Sequence, residues 1–327
     1  MTDTILHATS AGPRLRAMRL LSLLTLALVL APAPLLAQQR AVLVTGASSG
    51  IGRAITEKLA ASGLFVYAGA RSQEDLDALN RIANVQAVRL DVTVQAEVDS
   101  AVALVTRAGR GLYGVVNNAG VVVVAPLVEM EEADLRFILD VNLLGPFRVT
   151  KAFAPLLLAS QGRVVNISSL NGIVANPMIG AYSMSKHGIE AYSDALAGEL
   201  ARFGVRVSII EPGNFGTDIG RNLVARTDTT KLRGSRFETQ WRGTLNALAG
   251  FASNPPPAPV ADAVYDAITS DAPHPRYLVV PVANQGAVVT RKLFEEMIQM
   301  NATSAFPLDR DALIRMLDAE LERARAR

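Results

Sequence analysis

The 327-residue chain contains no cysteine and only three histidines. The first absence excludes a disulfide framework and every thiolate-held metal. His7, His187 and His274 are too far apart in sequence to form a metal-ligand motif, so no metal site is expected. An excess of either charge is also missing. Arg14, Arg16, Arg19 and Arg40 stand against Asp3 in the first forty residues, which leaves 28 basic and 29 acidic residues in 41–327. A body so nearly neutral is not expected to bind nucleic acid. There is no internal repeat. Half of the residues are hydrophobic and 19% charged, the composition of a folded chain with a substantial core.

One long uncharged run stands out, Leu20 to Ala37, preceded by three arginines and ending in the small-residue sequence APAPLLAQQ. Residues 1–40 therefore read as a leader, either a signal peptide or a membrane anchor, and a start at Met18 would make a compact secretory signal. The run lies near the lower length limit for a spanning helix. Localisation follows from the leader's fate. The protein is exported if it is cleaved; if it is retained, the protein is cytoplasmic or held at the cytoplasmic face of a membrane.

From Ala41 onward, apolar runs alternate with helical stretches: AVLVTG (41–46), LFVYAGA (64–70), VQAVRLDV (85–92), LYGVVNN (112–118), RVVNIS (163–168), VRVSIIEP (205–212) and PRYLVVP (275–281). Runs that are apolar throughout predict parallel strands buried on both faces and joined by right-handed helical crossovers. The expected fold class is α/β, a doubly wound Rossmann-type parallel sheet of seven strands forming one domain over 41–285. Residues 131–160 and 181–203 carry helix-period apolar positions. The weakly patterned stretch 214–258 reads as a substrate loop, expected to be mobile without ligand, and 286–327 as a helical C-terminal extension. Trp241, the single tryptophan, is either a lid residue or a local core anchor. Met178 and Met184 flank a candidate pocket, although packing is the commoner role of methionine.

The turn after the first strand reads Thr45-Gly46-Ala47-Ser48-Ser49-Gly50-Ile51-Gly52. Its glycines permit a tight turn and the approach of a pyrophosphate to a helix N-terminus, where unpaired N–H groups and the helix dipole favour an anion. Four further motifs follow in order: Asn117-Asn118-Ala119-Gly120, Asn142 in DVNLLG, Ser168-Ser169, and Tyr182 four residues before Lys186. Together the five resemble the classical short-chain dehydrogenase/reductase family over essentially all of 41–285. AGA followed by Arg71, and EPGNFGT, are most similar to its hydroxysteroid and retinol dehydrogenase branch.

The resemblance implies hydride transfer between a nicotinamide and a hydrophobic alcohol, ketone or aldehyde. Tyr182 and Lys186, at i and i+4, share a helix face. A unit charge at ~4 Å and an effective dielectric of ~20 contributes about 4 kcal/mol, enough to bring a tyrosine pKa down by about three units. Tyr182 is thus the expected general acid/base, assisted by Lys186. The family serine lies thirteen residues before the tyrosine, which selects Ser169 to hold the substrate oxygen. Asn142 resembles the asparagine that keeps a water for the proton relay.

Cofactor contacts are implied for Thr45, Gly46, Ser48, Ser49, Gly50, Ile51 and Gly52 in the turn, and for Asp91 and Val92 at the adenine. They are also implied for Asn118, Ala119 and Gly120, and for Pro212, Gly213 and Thr217 near the carboxamide. NADP is expected over NAD. The second strand ends in Ala70 where an NAD enzyme normally has an acid, and Arg71, with Ser72 beside it, suits a 2′-phosphate. By resemblance the two long helices form a homodimer or homotetramer surface. Two other functions compete: a non-catalytic nicotinamide-binding sensor or scaffold, and a nucleotide-sugar epimerase or dehydratase. The complete Asn142/Ser169/Tyr182/Lys186 set counts against the first, and the glycine spacing against the second.

Overall fold

The computed structural model describes residues 1–2, 39–227 and 229–325. The leader read at 1–40 therefore lies almost wholly outside the described residues. Residues 39–327 make one compact unit. Its centre is a seven-stranded parallel sheet, ordered β3-β2-β1-β4-β5-β6-β7. The strands are β1 (Ala41–Val44), β2 (Phe65–Ala70), β3 (Val85–Arg89), β4 (Gly114–Asn117), β5 (Arg163–Ile167), β6 (Arg206–Pro212) and β7 (Arg276–Val279). Each falls within an apolar run, as expected for strands covered on both faces.

Alternation along β1 shows the two layers. Val42 and Val44 face a cluster with Ile55 and Leu59 of α1 (Gly50–Ala61), Leu76 and Leu79 of α2 (Gln73–Leu79), and Val260, Val264 and Ile268. Leu43 points the other way, into a cluster with Val98 and Val105 of α3 (Gln95–Arg107) and with Phe153 and Leu157. The strand order reverses between β1 and β4, whose carboxyl ends open the crevice where ligands bind in such sheets.

The predicted helix over 131–160 is broken into α4 (Glu132–Leu139), a π-helical turn (Asp140–Leu144) and α5 (Gly145–Ser160). Pro146 supplies the physical reason: it has no N–H to give the carbonyl of Asn142, so the ladder widens there and Gly145 N–H donates to the Asp140 carbonyl. The helix α6 (Gly180–Ala201) matches the stretch read at 181–203.

The stretch 214–258 differs from its reading as a weakly patterned loop. It holds α7 (Ile219–Arg226) and α8 (Glu238–Ala249) and has a small core of its own. Leu223, Leu232, Trp241 and Leu245 pack there on Val124, Ala125 and Met178. Trp241 and Leu245 are one helical turn apart, a pattern too sparse to stand out in sequence. Trp241 is thus the local anchor, and Met178 belongs to this core; Met184 is exposed.

Beyond α9 (Ala258–Thr269) and β7, the extension forms α10 (Ala283–Ala302) and α11 (Arg310–Arg325). Only Val289 of these two helices is buried. Among the described residues no helix is long and apolar enough to cross a membrane.

Candidate active site

Thr45 begins the site by holding its two halves together. Its hydroxyl accepts the backbone N–H groups of Asn118 and Ala119, both at 3.0 Å. Asn118 returns two bonds, from its amide to the carbonyls of Thr45 (2.9 Å) and Gly46 (3.0 Å). The turn is thereby clamped to the end of β4. Gly46 and Gly50 have φ of +63° and +53°, left-handed values that favour glycine. A Cβ on Gly46 would lie 2.8 Å from Ala119 Cα, and one on Gly52 would run into the Gly46 carbonyl and the Asn118 side chain. The N-cap Ser49 makes no side-chain cap bond and the first turn of α1 holds no acid, an arrangement suited to an anion at that N-terminus.

A cavity of about 420 Å³ runs over this turn. Gly46, Ser48, Ser49, Gly50, Ile51 and Gly52 line it, with Arg71, Asp91, Val92, Asn118, Ala119, Gly120, Ser169, Tyr182, Lys186, Pro212, Gly213 and Thr217. Two expected site residues do not. Thr45, 1% exposed, sits behind the turn with its hydroxyl engaged, so its role is to lock the turn and not to touch a ligand. Asn142 is also behind the lining. Its Oδ1 accepts from Val121 N–H, and its Nδ2 donates to the Val121 carbonyl and to Ser185 Oγ. With that side chain committed, the backbone carbonyl that Pro146 cannot satisfy is the atom of Asn142 suited to hold a water.

Lys186 donates from Nζ to the Ile167 carbonyl at 2.8 Å and lies 5.6 Å from the centroid of the Tyr182 ring. In the chain by itself the charge of Lys186 does not bring the tyrosine down. Burial pushes the Tyr182 phenol above its ordinary value, and a hydrogen bond from Ser169 opposes that only in part. The lysine itself is pushed down to about 8 by burial, against the pull of the Glu190 carboxylate.

At the far end of the cavity, Asp91 forms a side-chain turn, with Oδ1 accepting from Thr93 N–H (2.9 Å) and Oγ1 (2.7 Å). Burial raises its pKa, but the Thr93 bonds and the Arg71 guanidinium outweigh that and leave it below the usual carboxylate range. Arg71 Nη1 stands 3.8 Å from Asp91 Oδ2. Ser72, expected as a second donor, is already engaged: its Oγ caps α2 by accepting Asp75 N–H and donates to the Asp75 carboxylate.

The lining also includes groups that the sequence did not reveal: Val122, Asn171 and Ile179 beside the tyrosine, and Leu223, Leu248 and Phe251 from the 214–258 stretch. They come together through tertiary packing and carry no local motif.

The family model for short chain dehydrogenase matches residues 40–228. Retinol dehydrogenase 7 of Rattus norvegicus is 35% identical over 257 residues, 73% of this chain and 80% of its own length. The 3-amino-tetrahydro-pyrrolizinone reductase of Xenorhabdus hominickii is 38% identical over 183 residues, 55% of this chain. The 17-beta-hydroxysteroid dehydrogenase type 6 of Homo sapiens is 39% identical over 185 residues, again 55% of this chain. The chain spans 63% and 58% of the lengths of these last two relatives. Among solved structures, a short-chain dehydrogenase from Streptomyces avermitilis superposes with a TM-score of 0.68 at 31% identity, covering 81% of this chain and 95% of that one. An actinorhodin polyketide ketoreductase with NADPH gives 0.64 at 29% identity, covering 76% and 97%. The chain belongs to the short-chain dehydrogenase family of nicotinamide-dependent oxidoreductases, on the branch that includes the retinol and hydroxysteroid dehydrogenases.

Proposed function

We propose that the protein is an NADP(H)-dependent oxidoreductase acting on a hydrophobic alcohol and the corresponding ketone or aldehyde. The observation that carries this reading is the placement of Ser169, Tyr182 and Lys186 on one wall of the cavity whose floor is the glycine turn. The turn fits a dinucleotide, because Gly46 and Gly52, which have no room for a Cβ against Ala119, Asn118 and the Gly46 carbonyl, let bare backbone line the cavity where a pyrophosphate would lie. Ser48, Ser49 and the N-terminus of α1 would hold that group, and Pro212, Gly213 and Thr217 the nicotinamide end. When bound, the nicotinamide supplies or accepts the hydride.

The chain's own residues handle the proton and the geometry. In the reducing direction Ser169 Oγ holds the substrate oxygen, and Tyr182 donates its phenolic proton to that oxygen as the carbon receives the hydride. Lys186 replaces the tyrosine proton from its ammonium, and Asn142 supports the water through which the lysine is recharged. Val122, Ile179, Leu223, Leu248 and Phe251 give the substrate end an apolar wall, in keeping with a hydrophobic substrate. At the adenosine end Ala70 offers no carboxylate, and Arg71 holds Asp91 at 3.8 Å, a contact loose enough for a 2′-phosphate to replace.

Turnover on a panel of steroid, retinoid and aliphatic carbonyls tests the reading. Tyr182→Phe should keep cofactor binding by titration and lose at least about two orders of magnitude in kcat. Near-normal turnover in that variant removes Tyr182 from the mechanism.

A further inference from the structure

One group of buried charges behind the cavity wall takes no part in the mechanism above. Glu190, on α6 one turn beyond Lys186, is 8% exposed, and Glu211 on β6 is 3% exposed. Both reach the same guanidinium: Arg276 Nη1, at the start of β7, donates to Glu190 Oε2 and, at 3.0 Å, to Glu211 Oε1. Its Nη2 donates to Asp194 at 2.6 Å, a carboxylate that stays 64% exposed. The second oxygen of Glu190, Oε1, has no hydrogen-bond partner among the described residues. A Cβ built on Gly172 would stand 2.5 Å from that oxygen and 2.6 Å from Ser168 Oγ, which is likewise without a partner. Glu190 thus stands four residues after Lys186 on α6 with its unpaired oxygen toward Ser168, the residue that follows the Ile167 whose carbonyl receives Lys186.

A buried carboxylate oxygen left unpaired is costly unless a charge compensates it through space. With Glu190 and Glu211 ionised and Arg276 and Lys186 protonated, these buried groups carry no net charge. The other groups around Lys186 carry no formal charge to substitute. Among the described residues they are the Ile167 carbonyl from β5, the Asn142 amide from the π-helical turn, and the Tyr182 phenol from α6.

We infer that Glu190 is a positioning residue of the proton relay: held by Arg276, its free carboxylate oxygen is the counter-charge that keeps Lys186 an ammonium. Glu190 touches neither substrate nor cofactor and acts only through the lysine. Arg276 fixes the carboxylate, and the ion pair to Glu211 ties this arrangement to the strand that ends in Pro212. The pull of Glu190 on Lys186 is already opposed by burial, so the lysine stands close to its titration point, as a proton carrier must. This inference rests on the relay proposed above and adds the group that sets its proton affinity.

The chain has five lysines, Lys58, Lys151, Lys186, Lys231 and Lys292, so labelling lysine with carbon-13 at Cε permits each to be titrated by NMR, with Lys186→Arg identifying the signal. The full-length protein is titrated alone, with no substrate turning over. Glu190→Gln should lower the Lys186 midpoint by about one pH unit, and Glu190→Asp should restore most of it. The alkaline limb of kcat should move by the same amount. A Lys186 midpoint identical in wild type and Glu190→Gln, even with a lowered Tm, overturns the inference and reduces Glu190 to a structural ion pair. Should Glu190→Gln not fold, Glu190→Ala takes its place: loss of the carboxylate must lower the midpoint, and an unmoved midpoint refutes the role. Failure of the oxidoreductase reading would appear elsewhere, as no turnover on the carbonyl panel with the lysine shift intact.

Discussion

Tyr182 and Lys186 show how a residue's surroundings can override its nearest neighbour. Four positions apart, they were bound to share a face, and the sequence shows that much. It does not show that the ammonium is taken by the Ile167 carbonyl, nor that burial raises the phenol while bringing the lysine down to about 8. The consequence for pH dependence has a definite sign. Reduction needs Lys186 charged, so its rate should fall as the pH rises through about 8, whereas oxidation needs the neutral amine and should rise over the same interval. Rate profiles measured in both directions check this, and parallel profiles would detach the lysine from the proton path. Arg71 was legible as a cofactor residue because Ala70 precedes it, but the commitment of Ser72 to capping α2 was not. With Ser72 occupied, the preference falls on one guanidinium. A charge-assisted contact of ~1.5–3 kcal/mol corresponds to one to two orders of magnitude in favour of NADP. Arg71→Ala should bring kcat/KM for NADP down by that factor and leave the NAD value nearly level; an unchanged ratio would show that the arginine is a surface group only.

Among the elements, the strands were the most legible, since a run buried on both faces needs no partner to be recognised. The breaks were less so. Pro146 is visible in the sequence, yet whether a proline kinks, ends or widens a helix depends on what packs around it, and here it produces the π-helical turn that presents the Asn142 backbone. The helices α7 and α8 were missed as elements because their apolar positions are few and their core is completed by Val124, Ala125 and Met178 from elsewhere in the chain. That small core, set apart from the two large clusters on the sheet, bears on how the segment moves. We expect amide hydrogen exchange over 219–249 to be faster than in α1 or α5 when the protein is alone, and to slow when cofactor and a product analogue are added together. Equal exchange with and without ligands would make the segment a rigid part of the wall.

At the scale of the molecule, the sheet is closed over on both faces, but the outer side of α5 and α6 is not. Phe147, Leu158, Met184 and Phe203 are exposed there, and a groove of about 220 Å³ runs between the two helices, lined by Thr150, Leu157, Tyr192 and Leu196. We propose a second copy of the chain as its occupant, with the helices of one protomer lying on those of its partner. Light scattering should return an even number of protomers, and Phe147→Glu should reduce it; a monomeric wild type would refute the proposal. Such a contact cannot be read from periodicity, because an amphipathic helix has the same pattern whether a sheet alone or a sheet and a partner cover it. The small core under α8 has a separate, practical consequence. Trp241 is the only tryptophan in 327 residues, and it is buried in the segment that covers the substrate end of the cavity. Fluorescence excited at the red edge of the indole band, where the six tyrosines do not absorb, therefore reports on that segment, so the emission maximum and its quenching by acrylamide test for closure without a label, and stopped-flow mixing can time any change against the hydride step read from the nicotinamide absorbance.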